Sequence, residues 1–503
     1  MRDGIRLAVA AGVFIFGTIG WSLADHIGAA AGVALGVAVL VVPWRGQPGW
    51  SWAWLYLTRD RCFDLSDPVT VVNDRSGGGV RYQGGIAVAA IQLLGKRWQP
   101  TFFTGSATVG TANTVDVAEL VPLMRQSLGL ELDSLSVITA GARRGSGGDY
   151  PAIYDTLIGN TPYAGRRETW LVLRLHAFDN GEALRDRPTV GTAALAAAQR
   201  IAASLRCRGV RAKVASATDM IELEKRLDTS VLRPRNRGWR SLRGDSGWQT
   251  SYGYRPGDIT SEALGQAWSL RADAIIQNIT VFSDGTAATT VTVRTPRPPT
   301  MPPAVILQPL PGQQASAAAA NLCGPRPEVR GLLRGGLPSA LFIPIGPSGV
   351  LIGKVSGGER LLLPLDDPAE QTRVHIGAEQ EIAKRIVIRT AAAGQRVTVH
   401  TTDVAGWQSV RMPGIAVIEH QRPAPGTTVS VVDGTVAPAP RPNTVLSVAP
   451  PGSPVPPASD IVIAQTGPAT VELTAGGWSC DIEPEFFRAE NRYITCSQWE
   501  MAE

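Results

Sequence analysis

The sequence predicts a mixed α/β soluble region of α+β type, with a mixed sheet covered by helices and a β-rich C-terminal part. An N-terminal two-helix transmembrane hairpin is expected to tether it. Three observations predict this class. Two apolar runs, Leu7–Ala24 and Ile27–Val42, are separated only by Asp25 and His26. Strand-like and helix-like periodicities then alternate up to about residue 227. Beyond Pro296 the chain breaks into short β-branched runs bounded by turn residues.

The first element must be decided between an export signal and an anchor. Arg2 and Arg6 precede the apolar run, and Ser22-Leu23-Ala24 has the small-x-small form of a cleavage site. The second apolar run argues against cleavage, because a mature secreted chain has no use for it. The runs hold 18 and 16 residues, slightly under the roughly 20 that a spanning helix prefers, and Trp44 extends the second. A turn as short as Asp25-His26 makes the two helices antiparallel. Arg2 and Arg6 lie at one open end and Arg45, Arg59 and Arg61 at the other, with no basic residue in the turn. The positive-inside rule then predicts a two-pass plasma-membrane protein whose N-terminus and long soluble region are cytoplasmic. Trp44, Trp50, Trp52, Trp54 and Tyr56 fit an aromatic interfacial segment that closes a first unit at residue 61. Gly28, Gly32 and Gly36 bare one face of the second helix, a spacing that admits close helix packing in lipid.

The second unit, residues 62–295, reads as follows. "PVTVVND" and "GVRYQGGIAVAAIQLL" are strands, with Gly77–Gly79 at a hairpin turn. "TVDVAELVPLMRQSLGL" aligns Val117, Leu120, Val121, Met124 and Leu128 as one helical face. "LDSLSVITAGARR" is a strand, "YPAIYDTLIG" a helix closed by Gly159, and "ETWLVLRLHAF" a strand. "TVGTAALAAAQRIAASLRCRG" is the clearest helix, with Leu195, Ala198, Ile201, Ala202 and Leu205 as its stripe and Gly209 past its end. "VRAKVAS" and "ATDMIELEKRL" add a strand and a helix, an order that implies a mixed or partly parallel sheet. The prolines from Pro296 onward mark 296–328 as a linker. Residues 329–503 then read as β-rich, with "ALFIPIGPSGVLIGKV", "RIVIRT", "RVTVHT" and "IAVIEH" as strands and a Pro-rich surface loop near 437–458.

Composition limits the chemistry. The formal charge of +5 over 503 residues is too diffuse for a nucleic-acid partner. Cys62, Cys207, Cys323, Cys480 and Cys496 form no CxxC pair, so free thiols in a reducing compartment are expected. Lys96 and Lys354 follow glycines but precede neither Ser nor Thr, so there is no phosphate-binding loop. His26, His176, His375, His400 and His420 never fall at metal-ligand spacing. "GDSGW" places Ser246 in a nucleophile-like string, without the His and Asp context such a serine needs. "GARRGSGGDY" has backbone amides able to cradle an anion, although a flexible loop is the commoner reading. Asp366 and Asp367 sit in a loop without a second carboxylate partner. Arg226, Arg233, Arg235, Arg237, Arg240 and Arg243 form the main basic cluster, best suited on a tethered domain to lipid headgroups or a protein partner. No catalytic, cofactor or metal constellation emerges, and no small-molecule substrate is expected.

The run "VNDRSGGGVRYQGGIAVAAIQLLGKRWQPT", with "SVITAGARR", "YDTLIGNTPYAGRRETWLVLRL" and "VGTAALAAAQRIAASLR", resembles EccE, a membrane component of type VII (ESX) secretion systems in mycobacteria and their relatives. The resemblance covers residues 1 to 290 and is carried beyond that mainly by "IPIGPSGVLIGKV". It implies a non-enzymatic subunit of an inner-membrane complex with EccB, the ATPase EccC and EccD, six protomers surrounding a path for small helical WXG100 and PE/PPE proteins. The rival reading is a membrane-tethered, glycosyltransferase-like enzyme acting on envelope precursors. A third is a lone binder of anionic membrane lipid.

Overall fold

The computed structural model describes residues 2–44, 47–57, 63–73, 76–105, 108–233, 236 and 238–495. One helix, Arg2–Leu40, opens the chain, and its helical geometry breaks at Ala24 (φ −154°, ψ 40°) and Asp25 (φ 48°, ψ −135°). It carries the one segment among the described residues that is long and apolar enough to cross a membrane, Leu7–Leu40. Leu7, Phe14, Leu23 and Ile27 on it are exposed. Such surface suits lipid, not water.

Among the described residues the soluble body holds two twelve-stranded sheets. In the first, Leu242–Gly244, Gly247–Gly253, Thr286–Thr295, Ala274–Phe282, Ser134–Ala142, Arg166–His176, Ile86–Leu94, Gly77–Gln83 and Val69–Val72 lie side by side in that order. All the pairings are antiparallel, including Arg211–Val214 on Ile86–Leu94. The partly parallel sheet expected here is therefore absent from this half. The helix Val190–Cys207 covers one face, burying the predicted stripe of Leu195, Ala198, Ile201, Ala202 and Leu205 against Ala87, Ala89 and Leu171. Helices Ala217–Arg226 and Gln314–Ala320 cover the other, against Val88, Ile138 and Trp170. Alternate residues of the central strands thus feed two cores, which explains their nearly unbroken apolar character.

Parallel pairing occurs in the second sheet instead. Ile415–Ile418, Val397–Thr401, Val429–Asp433, Thr444–Ala449, Thr372–Gly377 and Ile461–Gly467 run parallel in that order. "RIVIRT", expected as a strand, lies inside the helix Gln380–Ala392. Parallel strands need a crossover to return the chain, and that requirement overrides the β preference of Ile386, Val387 and Ile388. The presumed surface loop at 437–458 contains the central strand Thr444–Ala449, with Thr444 and Leu446 buried. Its flanking prolines stop at the strand ends, where no ladder N–H is needed.

Three further expectations change. Gly77–Gly79 lie within a strand, and the turn glycines are Gly84 and Gly85, at φ +60° and +80°. A Cβ on Gly79 would sit 2.6 Å from the Ala217 nitrogen, so glycine there permits close approach and not a turn. The helix expected through residues 114–130 is a strand, Thr114–Asp116, followed by 3₁₀ turns Ala118–Met124 and Ser127–Gly129. Pro122 inside the longer turn removes a ladder donor, and Leu128 is 82% exposed. Finally, the stretch 296–328 is packed: Ala317–Ala320, Leu322 and Cys323 are buried, and Asn278 Nδ2 donates to the Ala320 carbonyl at 2.9 Å.

The halves also exchange elements. Thr101–Thr104 pairs with Arg360–Leu363 at the edge of the second sheet, and Thr114–Asp116 pairs with Phe342–Pro344. The helix Tyr150–Ile158 buries Tyr150, Tyr154 and Ile158 in the second core. Arg211 donates to both Asp367 carboxylate oxygens, at 2.5 and 3.1 Å.

Candidate membrane-junction site

The chain leaves the apolar helix and enters a second helix, Gly49–Leu57. Gly49 makes the join possible, since a Cβ there would sit 1.7 Å from the Val39 carbonyl oxygen. Ser51 and Leu55 are buried, Trp50 and Trp52 half-buried, and Trp54, Tyr56 and Leu57 exposed. The Trp52 and Tyr56 rings lie 6.0 and 6.4 Å from Trp239, and the Arg330 guanidinium stands 5.9 Å above Trp50. Trp239 is held from behind by Gly312, whose N–H donates to its carbonyl at 2.6 Å. Gly312 has φ +72°, and a Cβ on it would come within 2.8 Å of the indole. Trp50 and Trp52 therefore lean on the soluble body, and Trp54 and Tyr56 supply the exposed aromatic surface. Trp44 pairs through its backbone with Gln47, while its side chain lies outside the described residues.

The basic cluster divides. Arg226 forms a two-pronged pair with Glu168, both bonds at 2.9 Å. Arg233 faces Asp245 at 3.5 Å, and Arg240 and Arg243 are exposed. Arg235 and Arg237 lie outside the described residues, as do Arg45, Arg59, Arg61, Cys62 and Cys496. Arg240 directly follows Trp239 in the chain and is exposed.

The predicted glycine face meets its own chain. A Cβ on Gly28 would lie 2.0 Å from the Gly20 carbonyl oxygen, and one on Gly32 2.2 Å from that of Phe16. A Cβ on Gly36 would come 3.2 Å from the Val13 Cα. The two parts of the Arg2–Leu40 helix thus touch along this face.

The sequence strings that suggested chemistry serve the fold. Asp245 and Ser246 form the tight turn between two strands, and the Ser246 N–H donates to Asp228 Oδ2 at 3.0 Å. Arg143 of "GARRGSGGDY" is buried and donates to Asp155 Oδ1 (2.7 Å) and to the carbonyls of Thr161 (2.7 Å), Trp268 (2.8 Å) and Gly159 (2.7 Å). Gly145 in that loop donates to the Ala392 carbonyl at 2.8 Å, so the segment is a packed seam between the two cores and not a free cradle. Asp367 is bound by Arg211, and burial pushes the Asp366 carboxyl up. Burial likewise raises the Cys323 thiol to about 12, which keeps it protonated. Among the described residues no three His, Cys, Asp or Glu side chains converge to hold a metal.

Sequence reasoning missed the buried arginines. Arg389 gives Nε and Nη2 to Glu490, both at 2.8 Å, and Tyr150 donates to the same carboxylate at 2.6 Å. Burial first, and then the Glu490 charge, hold the Tyr150 hydroxyl well above its ordinary range, so it remains a donor. In sequence these arginines look like any others in an Arg-rich chain. Only partners separated by about a hundred residues reveal their role.

The family model described as a type VII ESX secretion system translocon, EccE, matches residues 163–254. The chain is 49% identical over 517 aligned positions to the ESX-2 secretion system protein EccE2 of Mycobacterium tuberculosis, covering 98% of this chain and 96% of that one. It is 28% identical to the ESX-1 secretion system protein EccE1 of the same species, over 73% of this chain and 77% of that one. A 28% match to the ESX-5 secretion system protein EccE5 of Mycobacterium marinum covers 47% and 64%.

Proposed function

This chain belongs to the EccE family of type VII (ESX) secretion-system proteins, and we propose on that premise that it acts as a non-enzymatic, two-pass structural subunit of the secretion complex. The observation that carries the reading is the 49% identity along almost the whole of both chains to an ESX-2 component. It extends over the apolar helix and both sheets, so the architecture as a whole is held in common.

Two antiparallel spans are supported by length. A straight helix through the 34 residues Leu7–Leu40 would measure about 51 Å, against a hydrocarbon core of about 30 Å. The break at Ala24 and Asp25, with the glycine contacts on either side, favours a fold-back whose polar turn reaches the far surface. Basic residues at both open ends favour a cytoplasmic N-terminus and soluble body. The glycines then close the hairpin itself, and contacts with EccB, EccC and EccD are left to its outer faces and to the soluble body. An ATP-hydrolysing partner such as EccC supplies the energy for exporting WXG100 and PE/PPE proteins. No observation favours the glycosyltransferase-like alternative.

The test is a tag pull-down from gently solubilised native membranes, resolved on a native gel with mass spectrometry of the bands. Co-migration with a P-loop ATPase and a many-helix membrane protein is the expected result. A small band containing this chain alone refutes the assembly role.

A further inference from the structure

We propose that the junction between the membrane helices and the soluble body binds the phosphate of an anionic phospholipid headgroup, between Arg330 Nη1 and Gln313 Nε2. Gln313 is 2% exposed, and its Oε1 accepts the Arg330 backbone N–H at 3.0 Å. That bond fixes which way the amide points and leaves Nε2 buried without an acceptor. Arg330 Nη1 is likewise buried and without an acceptor. These two open donors belong to residues joined by a hydrogen bond, so a single acceptor within reach of both would satisfy the pair. The guanidinium makes that acceptor an anion, and a phosphate oxygen suits paired N–H donors.

Position selects the source of the phosphate. The Arg330 guanidinium covers Trp50, in the first turn of the Gly49–Leu57 helix. That helix begins against the Val39 carbonyl, one residue before the apolar helix ends. The open donors therefore lie at the depth where the apolar helix gives way to aromatic residues, which is the headgroup layer. Exposed Trp54, Tyr56 and Leu57 offer apolar surface to acyl chains, and Arg240 adds positive charge beside Trp239. The proposal rests on the membrane part of the function above.

The full chain in detergent micelles is titrated with phosphatidylglycerol and with diacylglycerol, which lacks the phosphate, and bound lipids are counted by native mass spectrometry. We expect one phosphatidylglycerol bound in preference to diacylglycerol by about tenfold, the worth of one charge-assisted bond. Arg330→Gln and Gln313→Leu each abolish that preference, while Arg125→Gln, an exposed arginine elsewhere, preserves it. Equal binding of the two lipids overturns the proposal, as does a preference unchanged in both variants. Displacement of the lipid by millimolar inorganic phosphate overturns the lipid source and leaves a free-phosphate site. Absence of preference, with Arg330→Gln stripping the chain from its native complex, assigns the donors to an acidic residue of a partner and also overturns the lipid. The titration uses the isolated chain, so it succeeds or fails independently of assembly. A chain that leaves the micelles altogether overturns the membrane reading together with the proposal.

Discussion

Arg143→Met removes a clamp between the two cores. Methionine keeps most of the volume but none of the donors, so Asp155 and the carbonyls of Thr161, Gly159 and Trp268 all lose their shared partner. Asp155 is 6% exposed, and a buried carboxylate deprived of its cation alone costs about 3–5 kcal/mol. Each buried carbonyl left open adds up to about 1–3 kcal/mol, although relaxation and shared geometry keep the contributions from summing. The expected loss is therefore about 4 kcal/mol. Equilibrium unfolding of the full chain in urea, in mild micelles, reads it through tryptophan fluorescence, since Trp268 is buried beside the clamp. Arg143→Met with Asp155→Asn should recover about 1–2 kcal/mol by removing the uncompensated charge. A loss below about 1 kcal/mol for the single variant would show that the arginine is not what joins the cores.

Three further outcomes are expected. Glu490→Ala strands the buried Arg389 and the Tyr150 hydroxyl, and thermal melting should register a loss of about 3–5 kcal/mol, less for Glu490→Gln, which still accepts one bond. Gly32→Leu drives a side chain into the Phe16 carbonyl, so spin labels at Leu7 and Val41 should report a longer, broader distance distribution than in the parent chain. An unchanged distribution would refute the fold-back packing. Burial lowers the affinity of His375 and His400 for protons. The unfolded chain then binds more protons than the folded one below about pH 6.5, so stability present at neutral pH declines as the pH falls through that value towards the lowered folded pKa values. Denaturant midpoints between pH 7 and 5 should show this slope, and His375→Leu should flatten it.

Elements with a strong local period were legible. The Val190–Cys207 helix is capped by Thr189, whose hydroxyl accepts the Thr192 N–H at 3.1 Å, and its stripe faces the first core as its spacing implied. Ser134–Ala142 and Arg166–His176 were readable because a strand with apolar residues on both faces is a continuous run. Elements whose state depends on distant partners were not legible. Gln380–Ala392 contains a β-branched run that is helical because it crosses over a parallel sheet. Thr444–Ala449 looked like a loop because proline-rich segments flank it, yet it pairs with the preceding strand Val429–Asp433 on one side and with Thr372–Gly377, far away in sequence, on the other. Of the junction, the aromatic residues were visible in advance. Trp239, Gly312, Gln313 and Arg330 were not, because they come from three separate segments that only the fold assembles.

The sequence by itself determined that the chain begins with an apolar helix, continues as alternating strands and helices, and carries the EccE resemblance. Those features depend on neighbours within a few residues, where side-chain period and backbone geometry decide the outcome. Only the tertiary structure decided that Gly28, Gly32 and Gly36 face their own chain, that residues 314–323 pack on the first sheet, and that the buried Arg143 ties the two halves together. These depend on which surfaces meet. A bare glycine face, an alanine-rich turn and an arginine acquire their roles from whatever is packed against them.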